Sequence, residues 1–119
     1  MMTIPPSAKV YLSLTCVDFR KQGKGLKKWI QTEMSMNPFS NAYFLFLSKN
    51  KKSIKILHFD GQGLGLYTKI LSEGRFKGRQ GIHDASLSYV SIHPTEGQVM
   101  LMNGMTQALK IPKNWQEIA

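Results

Sequence analysis

The chain has 119 residues, 42% of them hydrophobic and 10% aromatic, enough for one packed core, too short for two, and outside the composition of disordered chains. Sixteen Lys and Arg against seven Asp and Glu leave a net charge of +9 and a pI near 9.9, which points to an anionic partner, nucleic acid ahead of a membrane surface. The single cysteine, Cys16, excludes an intrachain disulfide or a thiolate metal cluster and fits a reducing cytoplasm. No run approaches the roughly eighteen apolar residues of a membrane span, and the start MMTIPPSAK lacks the layout of a secretory signal, so a soluble cytoplasmic protein without a membrane partner is expected.

Pro5 and Pro6 set an extended entry, and Val10, Leu12 and Leu14 then alternate with Tyr11 and Ser13, the pattern of a strand with one face inward. Asp18 has the chemistry of a helix N-cap. From there Phe19, Leu26, Trp29, Ile30 and Met34 are spaced for a helix over about 18–34. Arg20, Lys24, Lys27 and Lys28 gather on its solvent side, with Lys21 beside them. Gly23 and Gly25 each weaken such a helix by roughly 1 kcal/mol, so packing must hold it. Pro38 ends it by forcing the preceding residue out of helical geometry.

Residues 43–47 (YFLFL) and 53–59 (SIKILHF) flank the lysine-rich 48–52 and predict a hairpin. Asp60-Gly61 is a turn signal. Beyond it Leu64, Leu66 and Ile70 alternate with Tyr67, Lys69 and Leu71, completing a three-stranded meander. The stretch EGRFKGRQGIHDAS, with Gly74, Arg75, Lys77 and Arg79, has no period and predicts an exposed basic loop. SLSYVSI predicts one more strand, and a short helix runs from Pro94 or Thr95 to Gly104. The core spans about 8–105 of a single domain, with 106–119 as a surface extension.

Several stretches resemble catalytic signatures and fail on context. GQGLG after residue 60 would need to open a helix to cradle a phosphate, but the residues after it alternate as a strand, and no Gly-Lys-Ser/Thr occurs. The later glycines, Gly63 and Gly65, are expected to admit a close neighbour. His58, His83 and His93 lack the tight spacing of a zinc motif. Asp18, Asp60 and Asp84 would have to converge to hold the cations of phosphoryl transfer, yet two of them already serve as cap and turn. Cys16 reads as a small core residue. No metal, cofactor or catalytic residue is assigned.

The basic residues form three clusters: Arg20, Lys21, Lys24, Lys27 and Lys28; Lys49, Lys51 and Lys52; and Arg75, Lys77 and Arg79. If they share a surface they supply phosphate contacts whose affinity falls with salt; otherwise they are a solvated face. Phe76 is either a base-stacking ring or a buried anchor.

Asp18-Phe19-Arg20-Lys21, Gly25-Leu26, Pro38-Phe39-Ser40, Lys55-Ile56-Leu57, Asp60-Gly61, Gly63-Leu64, Lys69, Leu71 and Gly74-Arg75-Phe76 occur here in an order and spacing that resemble the accessory protein of insertion-sequence-sixty-six elements. This is the TnpB-type protein of the second reading frame, distinct from the RNA-guided nuclease of the same name. The resemblance covers about 4–105 and departs at Gly97, where the family carries a larger apolar residue, and in the polar material at 80–92.

It implies a bacterial mobile-element protein that acts beside a separate transposase, with strand transfer left to that partner. The expected fold is α+β, an antiparallel sheet of four to five strands with one main helix on one face and a short C-terminal helix. The expected function is a non-enzymatic accessory factor of transposition that binds DNA through the three clusters, the transposase, or both. Asp18, Gly25, Asp60, Gly61 and Gly74 would preserve the geometry. The alternatives are an assembly module for the transposase without DNA contact, and a metal-dependent nuclease that would lose cleavage on substitution of Asp60.

Overall fold

The computed structural model describes residues 2–18, 20–76 and 87–102. Five strands form one sheet in the order β4-β3-β2-β1-β5: β1 Val10–Ser13, β2 Tyr43–Leu47, β3 Ser53–Phe59, β4 Leu64–Ile70 and β5 Tyr89–Ile92. The β2-β3-β4 meander follows the sequence reading, with Phe44 opposite Leu57 and Leu57 opposite Leu66. β1 departs from the expected antiparallel arrangement, because it pairs with β2 in parallel, Tyr11 opposite Phe44. The cause is α1, Gly23–Thr32, which carries the chain back along the sheet so that β2 starts level with β1. β5 closes the other side of β1 antiparallel, Tyr11 opposite Ser91.

Strand alternation divides the apolar residues between two faces. Val10, Leu12, Leu45, Leu47, Ile54, Ile56 and Ile92 pack with Met100 and Leu101 of α2, Pro94–Met102, and with Ile4 of the N-terminal segment. Phe44, Phe46 and Leu57 pack on the opposite face with Leu26 and Ile30 of α1 and with Val17 and Met34. The two helices therefore pack on opposite faces. Burying Leu26 and Ile30, both fully inaccessible, contributes about 1.5–3 kcal/mol each, which offsets the weak propensity of Gly23 and Gly25.

Gly97 explains the departure in α2. A Cβ there would lie 3.2 Å from Cγ1 of Val10 and 3.4 Å from Cδ1 of Ile4, so the missing side chain lets α2 settle directly onto β1. The Ile4 backbone N–H donates to Gln98 Oε1 at 2.7 Å and fastens the N-terminal segment to the same helix. At the start of α2, His93 Nδ1 accepts from the Thr95 backbone N–H at 3.1 Å, supplying a partner for one of the helix's open N–H groups.

The helix expected over 18–34 begins five residues late. Its N-cap is Gln22, without a side-chain hydrogen bond. Asp18 instead closes a tight turn, its Oδ1 accepting from the Arg20 backbone N–H at 2.9 Å and its carbonyl from the Lys21 N–H at 2.9 Å. Cys16, expected in the core, is exposed. Phe76 is 2% accessible and packs on the α2 face of the sheet, so it is the buried anchor of the two readings. The Asp60-Gly61 turn forms as expected: Asp60 Oδ1 accepts from Gln62 N–H at 2.9 Å and Gly63 N–H at 3.0 Å, and Gly61 has φ +95°. Among the described residues no close neighbour explains Gly63, and only the His58 carbonyl, at 3.7 Å, approaches Gly65. Phe19 and the residues at 103–119, including Gly104 and the proposed extension, lie outside the described residues, as do His83 and Asp84.

Candidate nucleic-acid interface

The strand directions fix where the basic clusters fall. β1, β2 and β4 finish, and β3 and β5 begin, at the same end of the sheet. That end therefore carries the 14–22 segment, the 48–52 hairpin tip and the segment from residue 71.

Direct contacts tie these segments together. The Leu71 N–H donates to the Lys52 carbonyl at 2.8 Å, and the Phe76 N–H to the Lys51 carbonyl at 2.6 Å. Phe76, buried in the core, thus pins Arg75 beside the lysine tip. The 14–22 segment adjoins the same tip across a groove of about 610 Å³ lined by Cys16, Val17, Asp18, Ser48, Lys49 and Asn50.

The tip is held in a defined shape. Asn50 Oδ1 accepts from the Lys52 N–H at 3.0 Å and from Ser48 Oγ at 2.8 Å, and Lys51 takes a left-handed backbone at φ +61°. Its three lysines are exposed. Gly74 has φ +76° and Gly61 φ +95°, both in the region open to glycine, which explains the need for glycine there. Gly25 serves packing instead, since a Cβ would meet Lys21 Cβ at 3.1 Å.

Beneath the 18–22 segment lies Lys55. The sequence places it on the same side of β3 as Leu57, and the structure buries it to 4% accessibility, with Nζ donating to the Lys21 carbonyl at 2.9 Å. Arg20 faces outward, 92% accessible at its side chain, and pairs with Asp18 Oδ2 at 2.8 Å. That bond holds the Asp18 carboxyl at about 2, below its ordinary 3.8, and raises Arg20 in turn.

The helix cluster divides. Lys24, in the first turn of α1, stands at the basic end, and Lys28 is exposed farther along. Lys27 leaves the expected solvent stripe. It is half-buried, with its ammonium 5.6 Å from the centre of the Phe39 ring, and Phe39 in turn meets Phe59 edge-on. Lys77 and Arg79 lie outside the described residues.

Among the described residues charge is consequently segregated along the strand axis. Arg20, Lys21, Lys24, Lys49, Lys51, Lys52 and Arg75 stand at one end against the carboxylates Asp18 and Glu73. The opposite end carries Lys9 against Glu33, Asp60 and Glu96. The helix dipoles act in the same sense: α1 starts at the basic end with no acidic residue in its first turn, which leaves its partial positive charge uncancelled. α2 ends nearby, where Lys69 Nζ donates to the Leu101 carbonyl at 3.0 Å and offsets the partial negative charge of that terminus. Burial lowers the Lys69 pKa.

The family described as IS66 Orf2-like protein matches residues 8–110. The chain belongs to that family. Membership in the IS66 Orf2-like family makes this a transposition-associated accessory protein, consistent with the resemblance carried by its motifs.

The chain is 29% identical over 96 residues to the uncharacterized protein y4hO of Sinorhizobium fredii, covering 76% of this chain and 84% of that protein. It is 28% identical over 68 residues to y4jC of the same organism, covering 57% of this chain and 58% of that protein. No solved structure matches. Among the described residues no helix is long and apolar enough to cross a membrane, and no three His, Cys, Asp or Glu side chains converge as metal ligands. In this IS66 Orf2-like chain the motif residues Asp18, Lys55, Gly74 and Phe76 all shape or support the basic end, whereas Asp60 and Gly61 turn the chain at the opposite one.

Proposed function

We propose that the protein is a non-enzymatic accessory factor of IS66-type transposition that contacts DNA through the basic end of its sheet, while the partner transposase carries the strand-transfer chemistry. The observation that supports this reading is the segregation of charge: among the described residues, seven cations from three separate segments stand at one end, and carboxylates outnumber cations at the other. A charge distribution kept only for solubility has no reason to be polar along one axis. A phosphate-binding one does, because it must present cations together to displace condensed counterions.

In this reading Lys49, Lys51 and Lys52 are the foremost phosphate contacts, with Arg20, Lys21, Lys24 and Arg75 flanking them. Lys28 contributes from the side, and Lys27 less because it rests on Phe39. Lys77 and Arg79 extend the same cluster in the sequence. The contacts are to backbone and carry no sequence preference of their own.

A salt titration of duplex binding, with terminal-repeat and random DNA compared, tests it. Each lost contact lowers the slope of log K against log salt by roughly 0.9, so replacing Lys49, Lys51 and Lys52 together by Ala lowers it by about 2.7. The triple replacement of Lys24, Lys27 and Lys28 lowers it less, and Lys9→Ala leaves it unchanged. An unaltered slope in the tip variant, with co-purification of the protein and transposase from nuclease-treated lysate, would establish the assembly-module reading instead.

A further inference from the structure

α1 does not cover its whole face of the sheet. Among the described residues it packs chiefly against β3 and β4, and on the β1–β5 side of that face the aromatic side chains lie partly buried at the margin of the same core cluster. They are Tyr11 and Tyr89. The Tyr11 ring stacks on Phe44, centroids 5.7 Å apart at 26°, and Tyr89 meets Tyr11 edge-on at 5.6 Å and 88°. Both rings are half-buried. Neither hydroxyl has a hydrogen-bond partner among the described residues, and neither belongs to the buried polar atoms without one, so neither hydroxyl is sealed from solvent. Two aromatic rings with apolar bodies braced by the core and wet tips are built to receive a further planar group.

The position of the pair identifies that group. Tyr89 opens β5 at the basic end, where the Leu14 N–H donates to the Ser88 carbonyl at 2.9 Å. The chain from Leu14 then runs straight into the groove shared with Lys49. An anionic strand held by the basic end would pass along this segment with its bases over the tyrosines. A duplex keeps its base faces stacked internally; only an unpaired strand offers them to aromatic rings.

We infer that Tyr89 and Tyr11 form a stacking platform for single-stranded nucleic acid, which continues the phosphate-binding surface of the basic end down the β1–β5 side of the sheet. The inference rests on the DNA-binding reading above and adds to it a strand preference. Accessory action on a transposon would then be directed at unpaired DNA.

The test compares a fluorescent oligothymidylate of about 15 nucleotides with a random duplex, using the full chain. The single strand is expected to bind more tightly. Tyr89→Leu and Tyr11→Leu, which keep an apolar side chain against the core, each lower single-strand affinity by roughly tenfold and change duplex affinity by no more than about twofold. A 5-iodouracil-substituted strand irradiated with the wild-type protein provides a measurement that does not depend on a variant folding, and its cross-links are expected on the peptides holding Tyr11 and Tyr89. Equal loss for both DNA forms, no single-strand preference, or cross-links confined to the 48–52 tip would overturn the platform while leaving the basic-end reading intact. Absence of binding to either DNA form would overturn both.

Discussion

Lys55→Met tests whether the basic end is positioned from within the fold. The Lys55 ammonium is nearly inaccessible on a central strand and donates at 2.9 Å to the Lys21 carbonyl, the last turn of chain before α1. A hydrogen bond from a charged donor contributes about 1.5–3 kcal/mol, while desolvating the ammonium costs several kcal/mol. Met fills a similar volume without either term. The two effects oppose each other, so global stability by urea unfolding should change by less than about 1.5 kcal/mol in either direction. The local effect has one sign only: the Lys21 carbonyl loses a donor, and the 18–22 segment loosens. Hydrogen exchange at residues 20–24 should accelerate, and the salt slope of DNA binding should fall although no surface cation was removed. Exchange rates unchanged at 20–24 with a normal salt slope would refute the idea that Lys55 holds this segment in place.

Gly97→Leu should destabilise by about 1–3 kcal/mol, because its first side-chain carbon already meets Val10 Cγ1 at 3.2 Å and Val10 is fully buried in β1; a thermal melt checks this, with each kcal/mol worth roughly 4–8 °C in a domain of this size. Gly61→Ala places a Cβ at φ +95° and should cost about 1 kcal/mol or more through backbone strain alone, since no side-chain contact opposes it. Asp18, whose folded pKa of about 2 lies below 3.8, contributes stability that is fully present above pH 3.8 and is lost as pH falls through 2. A carboxyl titration by NMR should show Asp18 still ionised at pH 3 in the wild type, and Arg20→Ala should bring its midpoint back toward 3.8.

The meander was legible because β2 is a short apolar run, β3 and β4 show alternation, and each turn carries a recognisable signal, the lysine tip and Asp60-Gly61. β5 and α2 were legible from Tyr89–Ile92 alternation and from Pro94. What the sequence misplaced was governed by tertiary context. Asp18 followed by apolar residues reads as a cap, yet two of the first helical residues are glycines, so the helix forms only where Leu26 and Ile30 reach the sheet. A purely antiparallel sheet follows from local pairing, whereas the parallel β1–β2 contact depends on how a helix returns the chain. Lys27 reads as solvent-facing by helical spacing, and a ring from outside the helix, Phe39, draws it in.

The candidate interface was legible as a list of charges and not as a surface. Its three clusters are separated by tens of residues, and only strand direction brings them to one end. Lys55 carried the clearest unused signal, a lysine at an inward position of a strand flanked by Ile54, Ile56 and Leu57. An ammonium in that setting has to find acceptors within the fold, and the Lys21 carbonyl that it bonds belongs to the segment bearing Arg20 and Lys21. Phe76 acts in the same way for Arg75, as a buried ring beside an exposed cation. Each flanking cluster is therefore anchored by an interior group, and the tip by Asn50 and Ser48. Random surface charge does not require such supports, since a solvated lysine gains little from a fixed position. Cations held in register do, because bound phosphates sit at fixed intervals along a strand, and the entropy of arranging the partners has already been spent in folding.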